Sequence, residues 1–304
     1  MRLYGIKPYR RRSKKWRKSK KNPITAFANL LLIEFPKQLN QIWVSDFTYL
    51  PFKGQWIYLA TIMDLFNREI VGFSILKNHS AQLTINALLS AVHKHPPSEI
   101  IHSDQGSEYL SKDYIELATN LGIRLSMSEK GSPWENGYQE SFYSQFKVDL
   151  GDTNRFETLG ELVYEIYQTI YKYNNERIHT ALKMSPIQFS NHYLIVETVS
   201  NKMGAWQYAY RNNVKKQDRH TLWQRCENIT LDVLESLLLA SQLSRGEKLP
   251  VLEKASLKLN FLRVFLRLCK EVKVIDANKY IKWQETVDEI GRQLGGWIRS
   301  TRER

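Results

Sequence analysis

His102-Ser103-Asp104-Gln105-Gly106, then Gly131-Ser132-Pro133-Trp134-Glu135-Asn136-Gly137, then Glu140 and Lys147: residues 102–147 decide how this chain folds. Glu99–His102 reads as a short buried strand that ends at Asp104. After a loop over Ser128–Ser132, a helix has a clear start. Ser132 stands at the N-cap, Pro133 at the first helical position and Glu135 three residues after the cap, which forms a capping box. Glu135 thus has a structural task at the helix entrance, whereas Glu140 lies two turns in. Asn136 and Lys147, four before and seven after Glu140, share its face. A third carboxylate, Asp46, comes from an earlier strand.

Three acidic side chains brought together from three elements repel one another, and a bound cation relieves the repulsion. With no His or Cys set beside them, the expected ions are hard, Mg²⁺ or Mn²⁺. Two such ions about 4 Å apart can clamp the attacking and leaving oxygens of an in-line phosphoryl displacement. Lys147 is placed to steady a substrate phosphate. Spacing alone leaves a plainer reading equally open, in which Asp104 opens an Asp-Gln-Gly turn and Glu140 is a solvated helix residue. Asp64 is set aside as a ligand because it follows an apolar strand and caps the turn Leu65–Asn67.

Upstream, Ile42–Leu50 is rich in β-branched and aromatic residues and reads as a strand. Phe52–Gln55 is a turn, Trp56–Met63 a second strand and Arg68–Leu76 a third, so an antiparallel meander is expected. Helices are expected over Ala81–His93 and Lys112–Leu121, with a strand over Ile123–Met127 between the second of them and the loop. Leu159–Tyr173 is amphipathic. The dense polar run Tyr173–Leu182 that follows it is either a solvated loop or one folded back over a site. The result is a mixed five-stranded sheet flanked by helices.

Past about residue 190 strand patterns stop. Leu222, Cys226, Ile229, Val233 and Leu237 form one helical stripe, and Ala255, Leu259, Leu262, Leu266 and Cys269 a second. Tyr280, Trp283, Val287, Ile290, Leu294 and Trp297 form a third. A fourth helix over Tyr193–Asn213 completes an all-α four-helix bundle. Boundaries near 190 and 218 both fit, and 190 is favoured, which gives an arm over 1–24, a core over 25–190 and a bundle over 191–304.

Of the 304 residues 42% are hydrophobic, a globular balance. No apolar run reaches the length of a membrane span, and no secretory signal pattern is present, so a cytosolic chain is expected. Cys226 and Cys269, the two cysteines, fall at apolar helical positions and read as buried thiols. The net charge of +13 is concentrated at the ends: residues 1–21 hold eleven Lys or Arg, Arg10, Arg11 and Arg12 among them, and no acid. Residues 218–304 are net +4, and the middle is mildly acidic. A basic arm carrying Tyr4, Tyr9 and Trp16 suits a polyanion, with phosphates on the charges and bases on the rings. A solvated tail or a localisation tract is the alternative.

Trp43-Val44-Ser45-Asp46-Phe47-Thr48-Tyr49, His102-Ser103-Asp104-Gln105-Gly106-Ser107-Glu108-Tyr109 and Trp134-Glu135-Asn136-Gly137-Tyr138-Gln139-Glu140-Ser141-Phe142 together resemble the insertion-sequence transposases of the orfB type, in the retroviral integrase superfamily. Thirty-five residues separate Asp104 from Glu140, as that family's Asp–Asp–(35)–Glu pattern requires, and Lys147 matches its Lys/Arg. The run Tyr173–Leu182 with Pro186 also matches, so the resemblance covers residues 40–190. It implies an RNase H-like fold, two divalent metals, DNA nicking and strand transfer, with Asp46, Asp104 and Glu140 as ligands. It also implies DNA contacts from Lys147, Asn136, Arg177, His179 and the arm, in a homo-oligomer. Two features depart from the family. Of the usual helix-turn-helix segment only a stub over residues 2–12 is recognisable, so recognition of transposon ends is expected from elsewhere or lost. Lys183 stands where Gly is common.

His220–Asn228, Leu259–Leu268 and Glu289–Ile298 resemble a second family, small four-helix-bundle proteins that include the diversity-generating retroelement accessory protein and 23S rRNA intervening-sequence proteins. That resemblance covers about 193–300 and implies a bundle that oligomerises and binds nucleic acid or a reverse transcriptase. Arg263, Arg267, Lys270 and Lys273 form either a basic face or a merely solvated one. Beside the transposase stand two other readings: an idle relic that binds RNA, DNA or a reverse transcriptase, and an RNase H-type nuclease on RNA–DNA hybrids.

Overall fold

The structure, a computed structural model, describes residues 27–129 and 137–302. The arm, including Arg10, Arg11 and Arg12, lies outside the described residues, as do the capping box Ser132–Glu135 and Asn136.

Five strands form one mixed sheet in the order β3-β2-β1-β4-β5. β1 (Ile42–Phe52), β2 (Gln55–Asp64) and β3 (Ile70–Leu76) are the antiparallel meander. The β1–β2 hairpin turns on Lys53 and Gly54, both left-handed with φ of 45° and 79°. That geometry matches the strand twist, and glycine adopts it without strain. The β2–β3 turn is built by Asp64 as expected: its Oδ1 accepts the Phe66 N–H at 2.8 Å and its Oδ2 the Asn40 N–H at 2.6 Å. Burial raises Asp64 to a pKa of about 6, against these hydrogen bonds.

β4 (Ile100–Ser103) runs parallel to β1, and β5 (Arg124–Met127) parallel to β4. α1 (Ala81–Lys94) and α2 (Lys112–Asn120) cover one face of the sheet, packing Leu83, Ala87 and Tyr114 on Trp43, Ile62 and Ile101. Gly72 lets α1 sit directly on β3; a Cβ there would stand 2.6 Å from the Ala87 carbonyl oxygen and from Ala91. α3 (Gly137–Leu150) and α4 (Leu159–Asn175) cover the other face, where Phe142, Phe146, Leu162 and Ile166 meet Ile42, Val44 and Leu59. With both faces covered, the central strands are apolar on both sides, which explains their near-continuous hydrophobic sequence.

A single helix carries the chain across the boundary expected near 190. Ser185 caps α5 (Pro186–Glu197) with a full capping box, and the helix runs through 190 into a π-helical stretch, Thr198–Gly204, and α6 (Ala205–Tyr210). Helix-forming sequence continues across the point where strand patterns stop, so a change of composition marks no change of backbone. After α7 (Lys216–Asp218) come α8 (Gln224–Gln242), α9 (Arg245–Glu271) and α10 (Ala277–Arg302). All three expected stripes are buried, together with Ile195, Val199 and Met203 from the fourth helix.

Among the described residues five ion pairs run round this bundle, each joining neighbours: Lys202–Glu289 at 3.3 Å, Arg211–Glu227, Asp232–Lys258 at 3.1 Å, Arg263–Asp288 at 3.0 Å and Arg302–Glu253. Of the four residues of the expected basic face, Arg263 is paired with Asp288 between α9 and α10, and Lys270 lies 5.0 Å from the Tyr280 ring. Cys226 and Cys269 are buried free thiols, their sulfurs 3.8 Å apart. Among the described residues no helix is long and apolar enough to cross a membrane.

Candidate active site on the α3 face of the sheet

Side chains alternate along a strand, so Asp46 lies on the β1 face that carries Val44 and Leu50, the face covered by α3. In the parallel β1–β4 register Val44 pairs with His102. Two residues further on, that register sets Asp104 level with Asp46, one strand spacing away. β4 stops at Ser103, so Asp104 emerges at the strand's end and stays exposed, its Oδ1 accepting the Gly106 N–H at 3.0 Å.

Glu140 comes from the first turn of α3. Two buried side chains beside it pin that helix to the sheet. Gln139, with no exposed surface, donates to the Val44 carbonyl at 2.8 Å and the Thr61 carbonyl at 3.3 Å, and accepts from the Thr61 hydroxyl at 3.1 Å. One turn on, the Tyr143 hydroxyl donates to the carbonyl oxygen of Asp46 itself at 2.6 Å. The register of α3 is thereby fixed on the residue whose carboxylate Glu140 must approach. Sequence reasoning missed both anchors. Their signal was the spacing of 139, 142, 143, 146 and 150, a single buried face that includes two hydrogen-bonding residues.

The electrostatics show the convergence. Burial pushes Asp46 up to a pKa of about 7 against the help of the Phe47 N–H, and both Asp104 and Glu140 add to the rise by repulsion. Burial also raises Asp104, and buried Glu108 adds to it; Glu108 is itself held by His79 at 2.9 Å. The negative charge of Asp46 further raises the buried phenols Tyr109 and Tyr143. Among the described residues no three His, Cys, Asp or Glu side chains are arranged to hold a metal ion. The donor chemistry nevertheless suits a hard cation: Asp46 and Asp104 each accept one backbone N–H, and among the described residues no hydrogen bond engages the exposed Glu140 carboxylate. Burial lowers the pKa of His102 to about 4, and its Nδ1 pairs with the Ser126 hydroxyl at 2.8 Å.

Other expected residues are dispersed around this centre. Exposed Lys147 reaches along α3 to 5.2 Å from the Tyr49 ring. Arg177 is paired with Asp149 at 2.7 Å. The polar run after α4 folds back, with the His179 N–H bonded to the Met184 carbonyl at 3.0 Å, and places Arg177 and His179 on a cleft beside α3. Lys183, where Gly is common, is left-handed, with a φ of 59°.

A five-stranded mixed sheet, covered on both faces by helices and carrying an acidic cluster beside its central strand, is an RNase H-like core. Residues 36–133 match the family described as Integrase core domain, residues 121–186 match a second family of the same description, and residues 193–301 match the family described as bAvd-like. A transposase for insertion sequence element IS904 from Lactococcus lactis is 40% identical over 157 residues, half of this chain and 62% of that protein. The transposase InsF for insertion sequence IS3A from Escherichia coli is 35% identical over 158 residues, half of this chain and 54% of that protein. The magnesium-bound catalytic core of HTLV-2 integrase is similar over half of this chain and 96% of its own, at 22% identity and a TM-score of 0.42. Through residues 36–186 the chain is similar to integrase core domains and to insertion-sequence transposases. It spans between 54 and 62% of the length of these two curated relatives.

Proposed function

We propose that the chain is a metal-dependent DNA transposase that cleaves DNA strands and joins them to new sites. The observation that carries this is the repulsion of Asp46 by both Asp104 and Glu140, three carboxylates delivered from two strands and an anchored helix. In this reading the three are the ligands of two Mg²⁺ or Mn²⁺ ions. When bound, such ions neutralise the acidic cluster and polarise the phosphodiester under attack. The chain's own residues do the rest. Gln139 and Tyr143 hold Glu140 to the sheet, Lys147 steadies a backbone phosphate, and Arg177 and His179 line the approach. The basic arm, with Arg10, Arg11 and Arg12, adds phosphate contacts, as does Asn136 ahead of α3. The protein works as a homo-oligomer on DNA in the prokaryotic cytosol.

Residues 1–24, 25–190 and 191–304 are its working units, with the bundle as the partner-binding part. The idle binding protein is not favoured: the matched relatives are transposases, and the sequence keeps Asp46, Asp104 and Glu140. An RNA or reverse-transcriptase partner for the bundle rests on its resemblance alone. The test is strand cleavage and joining on DNA bearing the element's ends, with Mg²⁺ or Mn²⁺. Wild-type protein is expected to act and Asp104→Asn to lose activity while its unfolding curve stays unchanged. Full activity in Asp104→Asn refutes the assignment.

A further inference from the structure

Beside α3 lies a cleft of about 540 Å³ lined by Arg68, Tyr138, Ser141, Gln145, Arg177 and His179 among others. Among the described residues that line it none is acidic. Two of its walls come from turns, and each is locally strained or polarised. Arg68 is left-handed, with a φ of 65°, a conformation that side chains other than Gly rarely adopt and that is concentrated at functional positions. It is held there by its N–H to the Asp64 carbonyl at 2.8 Å, in the turn that the buried Asp64 carboxylate organises. The turn thus serves to aim Arg68, whose guanidinium carbon stands 3.9 Å from the centre of the Tyr138 ring. Among the described residues Arg68 has no ion pair, and its Nη1 has no hydrogen-bond partner. On the facing loop, His179 Nδ1 is likewise unpartnered. Burial, and then the positive charges of Arg68 and Arg177, lower the pKa of His179, although Arg177 is paired with Asp149.

Tyr138 is 52% exposed, which leaves ring surface open to solvent beyond the guanidinium contact. An unsatisfied cation beside an open aromatic face matches the two halves of a nucleotide, phosphate and base. A base inside a duplex has both faces covered by its neighbours, so only an unpaired one can use the ring. Tyr138 lies two residues before Glu140 on the same helix.

We infer that this cleft is a nucleotide subsite, in which Tyr138 stacks the base of one unpaired nucleotide of a DNA strand and Arg68 binds its phosphate. Nucleic acid as the ligand rests on the transposase reading; the subsite itself rests on the cleft. It holds a strand end or a frayed nucleotide against α3 and has no need of metal.

The test is binding of a fluorescein-labelled single-stranded 12-mer to the full chain, followed by anisotropy in EDTA, with a blunt duplex as comparison. Arg68→Gln is expected to weaken binding of the single strand by about 5- to 30-fold and to reduce the log–log salt slope by roughly 0.7. Tyr138→Leu is expected to weaken it by a similar factor, while Tyr138→Phe, which keeps the ring, stays within about twofold. The blunt duplex is expected to lose much less with Tyr138→Leu than the single strand does. Because Arg68 sits in a constrained turn, exposed Tyr138 decides the matter alone if Arg68→Gln fails to fold. Unchanged binding in Tyr138→Leu, or equal losses on single strand and blunt duplex, overturns the inference. Loss of binding here together with full strand joining by Asp104→Asn would keep the subsite and discard the catalytic reading. The opposite pair of results would discard the subsite alone.

Discussion

Replacing Gln139 by Leu separates positioning from chemistry at this site. The side chain is wholly buried and makes three hydrogen bonds, to the Val44 and Thr61 carbonyls and from the Thr61 hydroxyl. Leucine has similar volume, so packing is nearly conserved and the loss is polar. Each such bond contributes about 1 kcal/mol net, and a buried carbonyl left without a partner adds a penalty. The expected loss of stability is about 2–4 kcal/mol, read as a lower urea midpoint at unchanged m-value. With the anchor gone α3 shifts on the sheet, and a displacement of about 1 Å at Glu140 can cost roughly a hundredfold in strand joining. Glu140→Gln is the contrasting control. Glu140 is exposed and has no hydrogen bond among the described residues, so its stability is expected within about 0.5 kcal/mol of wild type while joining is lost. If Gln139→Leu unfolds within about 0.5 kcal/mol of wild type and joins strands normally, the anchoring argument is wrong.

Gly72→Ala puts a methyl 2.6 Å from the Ala87 carbonyl and from Ala91, so α1 must move off β3. A destabilisation of about 1–3 kcal/mol in urea unfolding is expected, and a neutral result would mean that α1 is not seated there. His192, on α5 with its ring 5.0 Å from Trp297, has its pKa lowered by burial and by Lys248, against a hydrogen bond that raises it. A lowered histidine contributes stability that is complete above its ordinary value of 6.5 and is lost as pH falls below it. Urea midpoints measured from pH 7.5 to 5.5 should therefore fall less steeply in His192→Gln than in wild type, and equal slopes would contradict this assignment. Lys147→Ala removes an exposed phosphate contact, and DNA affinity is expected to fall with a salt slope smaller by about 0.9 while Tm is unchanged. An unaltered slope would take Lys147 out of the interface.

The core was legible because its signals are local. The β-branched runs of β1 to β3, the Lys53-Gly54 hairpin and the Asp64 turn are each specified within a few residues, Asp46 sits at a strand position whose face follows from alternation, and Asp104 lies just past the end of β4. The role of Gln139 and Tyr143 was hidden because it depends on the carbonyls opposite them, Val44, Asp46 and Thr61, nearly a hundred residues away. The helix that runs through 190 was missed for a different reason: strand patterns end there, but capping at Ser185 and helical sequence up to Tyr210 ignore that boundary. The pairing of Arg263 was hidden because a charge read along one helix takes no account of its neighbour, and Asp288 on α10 claims it. The Arg68–Tyr138 cleft joins a turn, a helix and a loop distant in sequence, and no local pattern announces it.

Titration of Mn²⁺ into the apo protein, followed by electron paramagnetic resonance, tests the shared carboxylate site most directly. Wild-type protein is expected to take up the ion and to release it as pH falls below about 7, where Asp46 gains its proton. Asp46→Asn, Asp104→Asn and Glu140→Gln should each weaken uptake. Undiminished Mn²⁺ binding in all three variants would contradict a site built from these side chains.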